Sequence, residues 1–208
     1  MKYKLAIFDF DGTLADTLPW FFTAVNRMAE KHGFNRIEVG EVNTLRGYSA
    51  RQIIEHLGVP AWKLPRIGID MRRLMAEDIR SIRPFDGIDA MLHSLSDGGV
   101  ALAVVTSNAY DNVRHVLGAK CAALIRYYEC GTSLFGKRGK LRSVLKKSGI
   151  RSGEAIFIGD EIRDIEAARA EGVPFGAVAW GYTHVEALEA HAPAEVFVDV
   201  AEVVEKVA

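Results

Sequence analysis

The stretch LAIFDFDGTLADT, residues 5–17, decides the fold of this chain. Its apolar run from Leu5 to Phe10 indicates a buried strand. Side chains alternate along a strand, so Asp9 and Asp11 begin on the same side while Phe10 points into the packing. Two carboxylates this close repel each other unless a cation lies between them. The pair also lies at the C-terminal end of the strand, where open α/β sheets bind ligands. The alternative is a solvated Asp-Gly turn.

Further apolar runs follow along the chain, with segments of helical period between them. Helical segments include those that carry Met91 and Leu92, and Leu141 and Val144. Strands that alternate with helices predict an α/β fold with a parallel sheet covered on both faces, which is the Rossmann-like, doubly wound arrangement. The runs are Val100 to Val105, Ala155 to Ile158, Phe175 to Trp180 and Val196 to Val200.

The interval from about Thr17 to Arg83 breaks this alternation, because no segment in it has the pattern of a buried strand. Apolar residues recur there at helical spacing, and Ser49 with Gln52 fits a capping box that opens a helix. Pro84 and the turn residues after it mark the point where strands and helices alternate again. We therefore predict an all-helical insert at residues 17–83 within an α/β core made of residues 1–16 and 84–208.

A second acidic group follows the Ala155 to Ile158 run, where Gly159 precedes Asp160 and Glu161, with Asp164 one helical turn later. Acids at two strand ends suit a hard divalent cation, since magnesium favours carboxylates, waters and phosphate oxygens. The alternative is that Asp160 caps the following helix and its neighbours complement the helix dipole.

Two weaker signals complete the pattern. Thr106-Ser107-Asn108 ends a strand just before a helix, which suits a phosphate cradle but is also common capping chemistry. Phe135-Gly136-Lys137 precedes a helix and brings an ammonium group towards the same face. The alternative for Lys137 is a solvated side chain.

Composition limits the classes of partner. The 208 residues are 49% hydrophobic and 25% charged, with a formal net charge of -1, which is typical of a globular protein and gives no support to a nucleic-acid partner. The apolar runs are far shorter than the roughly 20 residues of a membrane helix, so we expect no membrane association and a cytoplasmic protein. Cys121 and Cys130 lack CxxC spacing and are expected to be buried thiols.

Taken in chain order, the polar residues that follow the predicted strands, together with Lys137, resemble the haloacid dehalogenase superfamily. The resemblance is to its phosphatase branch, close to phosphoglycolate phosphatases and β-phosphoglucomutases. DFDGTLADT, VVTSN, FGK and IGDEIRDIEAARAEGV are similar to the four motifs of that family. The resemblance covers the chain from Lys4 to its C-terminus. The helical insert lies where this branch carries its cap.

The resemblance implies a magnesium-dependent phosphatase that acts on a small-molecule phosphate ester, such as phosphoglycolate or a sugar phosphate. Asp9 is then the nucleophile that becomes phospho-aspartate, and Asp11 is the general acid and base. Magnesium is held by Asp9, the backbone carbonyl of Asp11, and Asp160. Thr106 hydrogen-bonds the phosphoryl group, and Lys137 pairs with the phosphate and Asp9.

Further roles also come from the resemblance. Lys140 competes with Lys137 for the phosphate, because the spacing to the fourth motif is short here. Asp164 braces the site or binds a metal-bound water. The expected phosphate- and substrate-binding residues are Gly12, Thr13, Ser107, Asn108 and, from the cap, Arg46 and Tyr48, for which surface charge and cap packing are the alternatives.

Two other functional classes are considered. One is a β-phosphoglucomutase-like phosphotransferase, which requires a cap that retains a sugar bisphosphate. The other is a non-catalytic or signalling phosphate-binding protein on the same fold; receivers of that kind, however, carry their phosphorylated Asp on a later strand. A monomer and a homodimer both fit the apolar residues of the insert.

Overall fold

The structure is a computed structural model, and it describes residues 2–131 and 136–208. Within these residues, six strands form one parallel sheet in the order β3-β2-β1-β4-β5-β6. The strands are β1 (Leu5–Phe8), β2 (Ala101–Val105), β3 (Ile125–Glu129), β4 (Ala155–Gly159), β5 (Phe175–Val178) and β6 (Glu195–Phe197). Phe8 is in register with Val104 of β2 and with Ile158 of β4, so these three strands end together at one edge.

Helices cover both faces of the sheet. Those in and after the insert are α1 (Leu18–His32), α2 (Val42–Leu45), α3 (Ala50–His56), α4 (Leu64–Asp78), α5 (Ile88–Asp97), α6 (Tyr110–Leu124), α7 (Lys137–Ser148), α8 (Ile162–Ala170), α9 (Val185–Glu189) and α10 (Ala201–Val207). Short 3-10 turns lie at Val39–Glu41, Ala61–Lys63, Ile79–Ser81 and Ser152–Glu154.

The alternation of β1 explains its continuous apolar sequence. Ala6 and Phe8 belong to the core cluster that includes residues of α5, α6 and α10, whereas Leu5 and Ile7 belong to the cluster with residues of α7, α8 and α9. A strand that is buried on both faces has no solvent side and so needs no polar alternation. The predicted α/β class with a doubly wound parallel sheet is therefore confirmed.

The segment between β1 and α5 is helical, as predicted, and contains α1 to α4. Its own core forms around Val25, Leu45 and Leu57. The capping box at α3 is confirmed, because the Ser49 N–H donates to Gln52 Oε1 at 2.8 Å and Ser49 Oγ accepts from Gln52 N at 3.4 Å. The bounds at residues 17 and 83 stay a prediction.

The two ends of the insert are joined where they leave the core. Ala15 forms an isolated antiparallel bridge with Pro84. The Asp16 N–H donates to the Arg83 carbonyl at 2.9 Å. The chain therefore enters and leaves the insert at adjacent points.

β3 was not predicted from the sequence, and its position explains why. It is an edge strand paired only with β2 among the described strands, and its residues after Ile125 are half-buried or exposed. A half-exposed strand needs no continuous apolar run, so Arg126 and Glu129 interrupt the signal.

Two smaller predictions can be compared with the structure. Cys121 and Cys130 are both free thiols, the first buried and the second half-buried. In the described part of the chain, no helix combines the length and apolar character needed to cross a bilayer.

Candidate active site

The ends of β1, β2 and β4 bring the predicted acids and polar residues to one edge of the sheet. Asp9 directly follows β1 and is 2% exposed, and its N–H donates to the Ile158 carbonyl at 2.9 Å. Its Oδ1 accepts from the Phe10 N–H at 2.7 Å. Phe10 is fully buried, which is the alternation expected from the sequence. One carboxylate oxygen of Asp9 is thus fixed by the backbone.

Asp11 lies two residues further, at the mouth of the site. Its two carboxylate oxygens accept from Asn108 Nδ2 at 3.1 and 3.2 Å. Burial, followed by the charge of Asp9, raises the pKa of Asp11 to about 7. This carboxyl group is therefore held in place from a second strand end.

Lys137 begins α7 and points into the acidic cluster. Its Nζ lies 2.5 Å from Asp9 Oδ2 and 2.5 Å from Asp164 Oδ1, and the residue is 4% exposed. Burial opposes its charge, but the carboxylates of Asp164 and Asp9 raise the pKa of Lys137 above its ordinary value. Lys140 instead donates to the Cys130 carbonyl. The structure brings Lys137, not Lys140, to Asp9; Phe135 of the same motif lies outside the described residues.

Asp160 follows β4 and is fully buried. Its Oδ1 accepts from Thr13 Oγ1 at 2.8 Å and its Oδ2 from the Tyr182 N–H at 2.8 Å. Burial, then the charges of Glu161, Asp9 and Asp164, raises the pKa of Asp160 well above its ordinary value. The capping alternative is not seen, because the N-cap of α8 is Glu161.

Three carboxylates form a group that fits a metal ion. Oxygens of Asp9, Asp160 and Asp164 all lie within 4.8 Å of one another, and all three residues are buried. Among the residues that the structure describes, buried Asp164 Oδ2 has no hydrogen-bond partner. Burial raises the pKa of Asp164 to about 7, although the positive charge of Lys137 lowers it in part. Hard oxygen donors with one unsatisfied atom suit Mg²⁺. Asp164, predicted as a supporting residue, belongs to this group.

Two glycines leave room for the Asp160 carboxylate. Gly12 has a φ of 74°, and a Cβ there would lie 2.3 Å from Asp160 Oδ2. A Cβ on Gly181 would lie 2.1 Å from Asp160 Cβ. Both positions therefore exclude any larger side chain, Gly12 also through its left-handed backbone.

Gly181→Ala is expected to lower the free energy of unfolding by about 1–3 kcal/mol, because the added methyl overlaps Asp160 and forces a shift. The backbone of Gly181 is not left-handed, so the loss of stability reports only the overlap of the added methyl with Asp160. Urea denaturation measures the change. Gly153→Ala is the matched control, since a Cβ there meets nothing within 4 Å. Equal stability of the two variants would contradict the close packing around Asp160.

Thr106, Ser107 and Asn108, which the sequence predicts to bind phosphate, follow the end of β2. Thr106 is fully buried, and its Oγ1 accepts from the Asn108 N–H at 3.0 Å. Asn108 Oδ1 accepts from the Ala109 N–H at 2.8 Å and from Asn112 Nδ2 at 2.9 Å, which leaves its Nδ2 for Asp11. Ser107 is half-buried beside them. This network orients the amide that holds Asp11.

Arg46 and Tyr48, predicted to contact substrate, differ in their contacts. Arg46 Nε donates to the Tyr182 carbonyl at 3.1 Å and its Nη2 to the Gly181 carbonyl at 3.0 Å, while the His184 N–H donates to the Arg46 carbonyl at 2.9 Å. Arg46 thus joins the insert to the loop after β5. Tyr48 packs edge-on against His56, with ring centroids 6.3 Å apart.

Tyr182 belongs to the site although no motif singles it out. Its hydroxyl lies 2.7 Å from Thr17 Oγ1, and its ring lies 5.3 Å from that of Phe21. Burial, then the charge of Asp11, raises the pKa of Tyr182 well above its ordinary value. Its position just after a strand end was the available sequence signal.

A cavity of about 310 Å³ lies between the insert and the core. Asp11, Ser107 and Asn108 line it from the core, and Arg46 and Tyr48 line it from the insert. The edge of the sheet that carries Asp11 therefore opens into a partly open cavity large enough for a small ligand.

Comparisons with known proteins agree with this arrangement. The profile of the family described as haloacid dehalogenase-like hydrolase matches residues 6–178. A phosphoglycolate phosphatase of Synechococcus elongatus is 30% identical over 90% of this chain and 89% of its own length. An N-acetylmuramic acid 6-phosphate phosphatase of Pseudomonas aeruginosa is 29% identical over 96% of this chain and 92% of its own. A haloacid dehalogenase-like family hydrolase from Streptococcus pneumoniae superposes with a TM-score of 0.82 at 18% identity, covering 100% of this chain and 99% of its own.

Proposed function

The chain belongs to the haloacid dehalogenase-like hydrolase family and is a phosphatase, and on that premise we propose that it hydrolyses a small phosphorylated metabolite through a magnesium-dependent phospho-aspartate at Asp9. The observation that carries the proposal is the position of Asp9. It is a buried carboxylate beside Lys137 and two further carboxylates, at the end of the central strand and two residues before Asp11, which lines the cavity.

The first half of the reaction transfers the phosphoryl group to Asp9. A carboxylate oxygen of Asp9 attacks phosphorus, and the bond between phosphorus and the ester oxygen breaks. Asp11 gives its proton to the departing oxygen. Its hydrogen bonds to Asn108, at 3.1 and 3.2 Å, hold it towards the cavity where that oxygen would lie.

The second half regenerates the enzyme. Water attacks the phosphorus of phospho-aspartate, Asp11 accepts the proton of that water, and inorganic phosphate leaves as the Asp9 carboxylate re-forms. Lys137 and the Thr106 hydroxyl stabilise the negative charge of the phosphoryl oxygens. In the proposal, Gly12, Thr13 and Ser107, which follow β1 and β2, surround the phosphoryl group.

Asp9, Asp160 and the backbone carbonyl of Asp11 would hold the magnesium ion, with Asp164 beside them. When bound, the ion offsets the repulsion between the carboxylates and the phosphate dianion and supports charge in the transition state. The unsatisfied Asp164 Oδ2 and the two glycines around Asp160 support this assignment.

The insert at residues 17–83 acts as the cap of the site. It supplies the cavity wall opposite the core, and Arg46 ties it to the Gly181 and Tyr182 carbonyls. Closing a cap over the reacting atoms keeps bulk water out during phosphoryl transfer.

Magnesium is expected to stabilise the folded protein, because it binds the grouped carboxylates of the native state. At about 100 times its Kd the gain is about 2.7 kcal/mol, measured as a rise in Tm. Asp160→Asn should lose the response, whereas the exposed Asp97→Asn should keep it. An equal response in Asp160→Asn would place the ion elsewhere.

The direct test is phosphate release from a panel of phosphorylated metabolites, including phosphoglycolate and sugar phosphates, with and without magnesium. Many turnovers that depend on magnesium support the hydrolase. Transfer between positions of a sugar phosphate would favour the mutase, and a single stable phosphorylation would favour a signalling role. No chemistry with any ester would overturn the proposal.

A further inference from the structure

The cavity beside Asp11 has two ends of different chemistry. Its core end carries Asp11, Ser107 and Asn108. The insert surrounds the other end with aliphatic side chains from α1, α3 and α4 and the segments between them. These include Val25, Met28, Ile53, Leu57, Ile67 and Met71. The cavity therefore has a polar end at Asp11, Ser107 and Asn108 and an apolar end within the insert, which we call the chamber.

The cations that line the cavity do not make the apolar end a carboxylate site. Of the described lining residues, Arg46 donates to the Gly181 and Tyr182 carbonyls, and Arg163 is paired with Glu161. Arg72 also lines the cavity but is solvent-exposed, so its charge keeps its hydration and attracts a carboxylate only weakly. A carboxylate placed among the apolar side chains would lose its own hydration, which is costly.

We propose that the preferred substrate is a phosphate monoester whose leaving group carries an apolar alkyl or aryl portion, which the chamber of the insert encloses. This inference rests on the proposed function of the same site. The whole cavity, its polar end included, has a volume of about 310 Å³. At about 30 Å³ for each water-sized group, its apolar part accommodates a leaving group on the order of six non-hydrogen atoms.

The first test compares kcat/KM for methyl, propyl and hexyl phosphate and for phosphoglycolate, with magnesium present. Each methylene that enters the chamber is expected to raise kcat/KM about fourfold, so hexyl phosphate, with five more methylenes, should exceed methyl phosphate by up to about a thousandfold. It should also exceed phosphoglycolate. A flat series, or phosphoglycolate as the better substrate, would overturn the inference.

Gly68 allows the chamber to be shortened without disturbing the acids. It lines the cavity within α4, and a Cβ there would meet Arg72 Nη1 at 3.7 Å, an ordinary contact. Gly68→Leu is expected to reduce the ratio of hexyl to methyl phosphate kcat/KM about tenfold, because its side chain occupies space for two or so methylenes. Gly153→Leu, exposed and with open space around its Cβ, is the matched control and should keep the ratio.

Binding of alkylphosphonates to the magnesium-loaded protein, measured by calorimetry, separates the two proposals. Affinity that rises with chain length but no hydrolysis of any ester would overturn the phosphatase and support the chamber. Hydrolysis together with affinity independent of chain length would overturn the chamber alone. An unchanged ratio in Gly68→Leu would also count against it.

Discussion

Asp9→Asn is expected to lower the rate of phosphate release on the order of 10⁴-fold or more, because the amide has no carboxylate oxygen to attack phosphorus. The substitution keeps the size of the side chain, so the buried position between the Phe10 N–H and Lys137 can still be filled. Steady-state phosphate release measures the change. Mass spectrometry of the protein with substrate should show a phosphorylated wild type and an unmodified variant.

The control for Asp9 is Asp97→Asn, which makes the same chemical change at an exposed position of α5. It should keep wild-type activity. Circular dichroism should show both variants folded. Activity of Asp9→Asn within tenfold of the wild type would mean that another group carries the phosphoryl transfer.

Lys137→Met is expected to lower both stability and activity. Loss of the ammonium leaves Asp9 and Asp164 buried without their cation, and breaking a buried ion pair from one side costs about 3–5 kcal/mol. Activity should fall about 10²- to 10³-fold, because a donor to the phosphoryl oxygens is lost. Urea denaturation and phosphate release measure the two effects.

The stability cost of Lys137→Met should depend on pH. A buried carboxyl with a raised pKa binds its proton more tightly in the folded state than in the unfolded state. The pKa of Asp164 is about 7 even beside Lys137, and loss of the lysine raises it further. The part of the cost that comes from Asp164 should therefore be largest above the raised pKa of the variant, shrink as the pH falls towards 7, and be absent below 7.

Lys140→Met tests which of the two lysines, Lys137 or Lys140, pairs with the phosphate, a choice that the sequence left open. Its Nζ donates to the Cys130 carbonyl, so the variant should lose about 1 kcal/mol of stability and little activity. A loss of activity in Lys140→Met but not in Lys137→Met would reverse the assignment.

Much of the fold follows from the sequence because buried parallel strands have a strong pattern. The runs at β1, β2, β4 and β5 are apolar since both faces of the sheet are covered, and the Ser49 capping box is local chemistry. β3 escaped prediction because an edge strand tolerates polar residues such as Arg126.

The site was partly predictable for a similar reason. Residues at strand ends converge by topology, so Asp9, Asp160 and Thr106 could be placed together from sequence spacing. The choice between Lys137 and Lys140 depends on how α7 is oriented, which motif spacing does not determine. The contacts of Arg46 and Tyr182 depend on how the insert lies on the core, so they needed the three-dimensional structure.

The bridge between Ala15 and Pro84 has a consequence for how this enzyme can diversify. Because the chain leaves and rejoins the core at neighbouring residues, a lineage can exchange or lengthen the intervening segment without altering the register of the sheet. Under the proposed function, the carboxylates of the core and the cavity wall of the insert can then change independently, so a new specificity can arise while the chemistry proposed for Asp9 is kept.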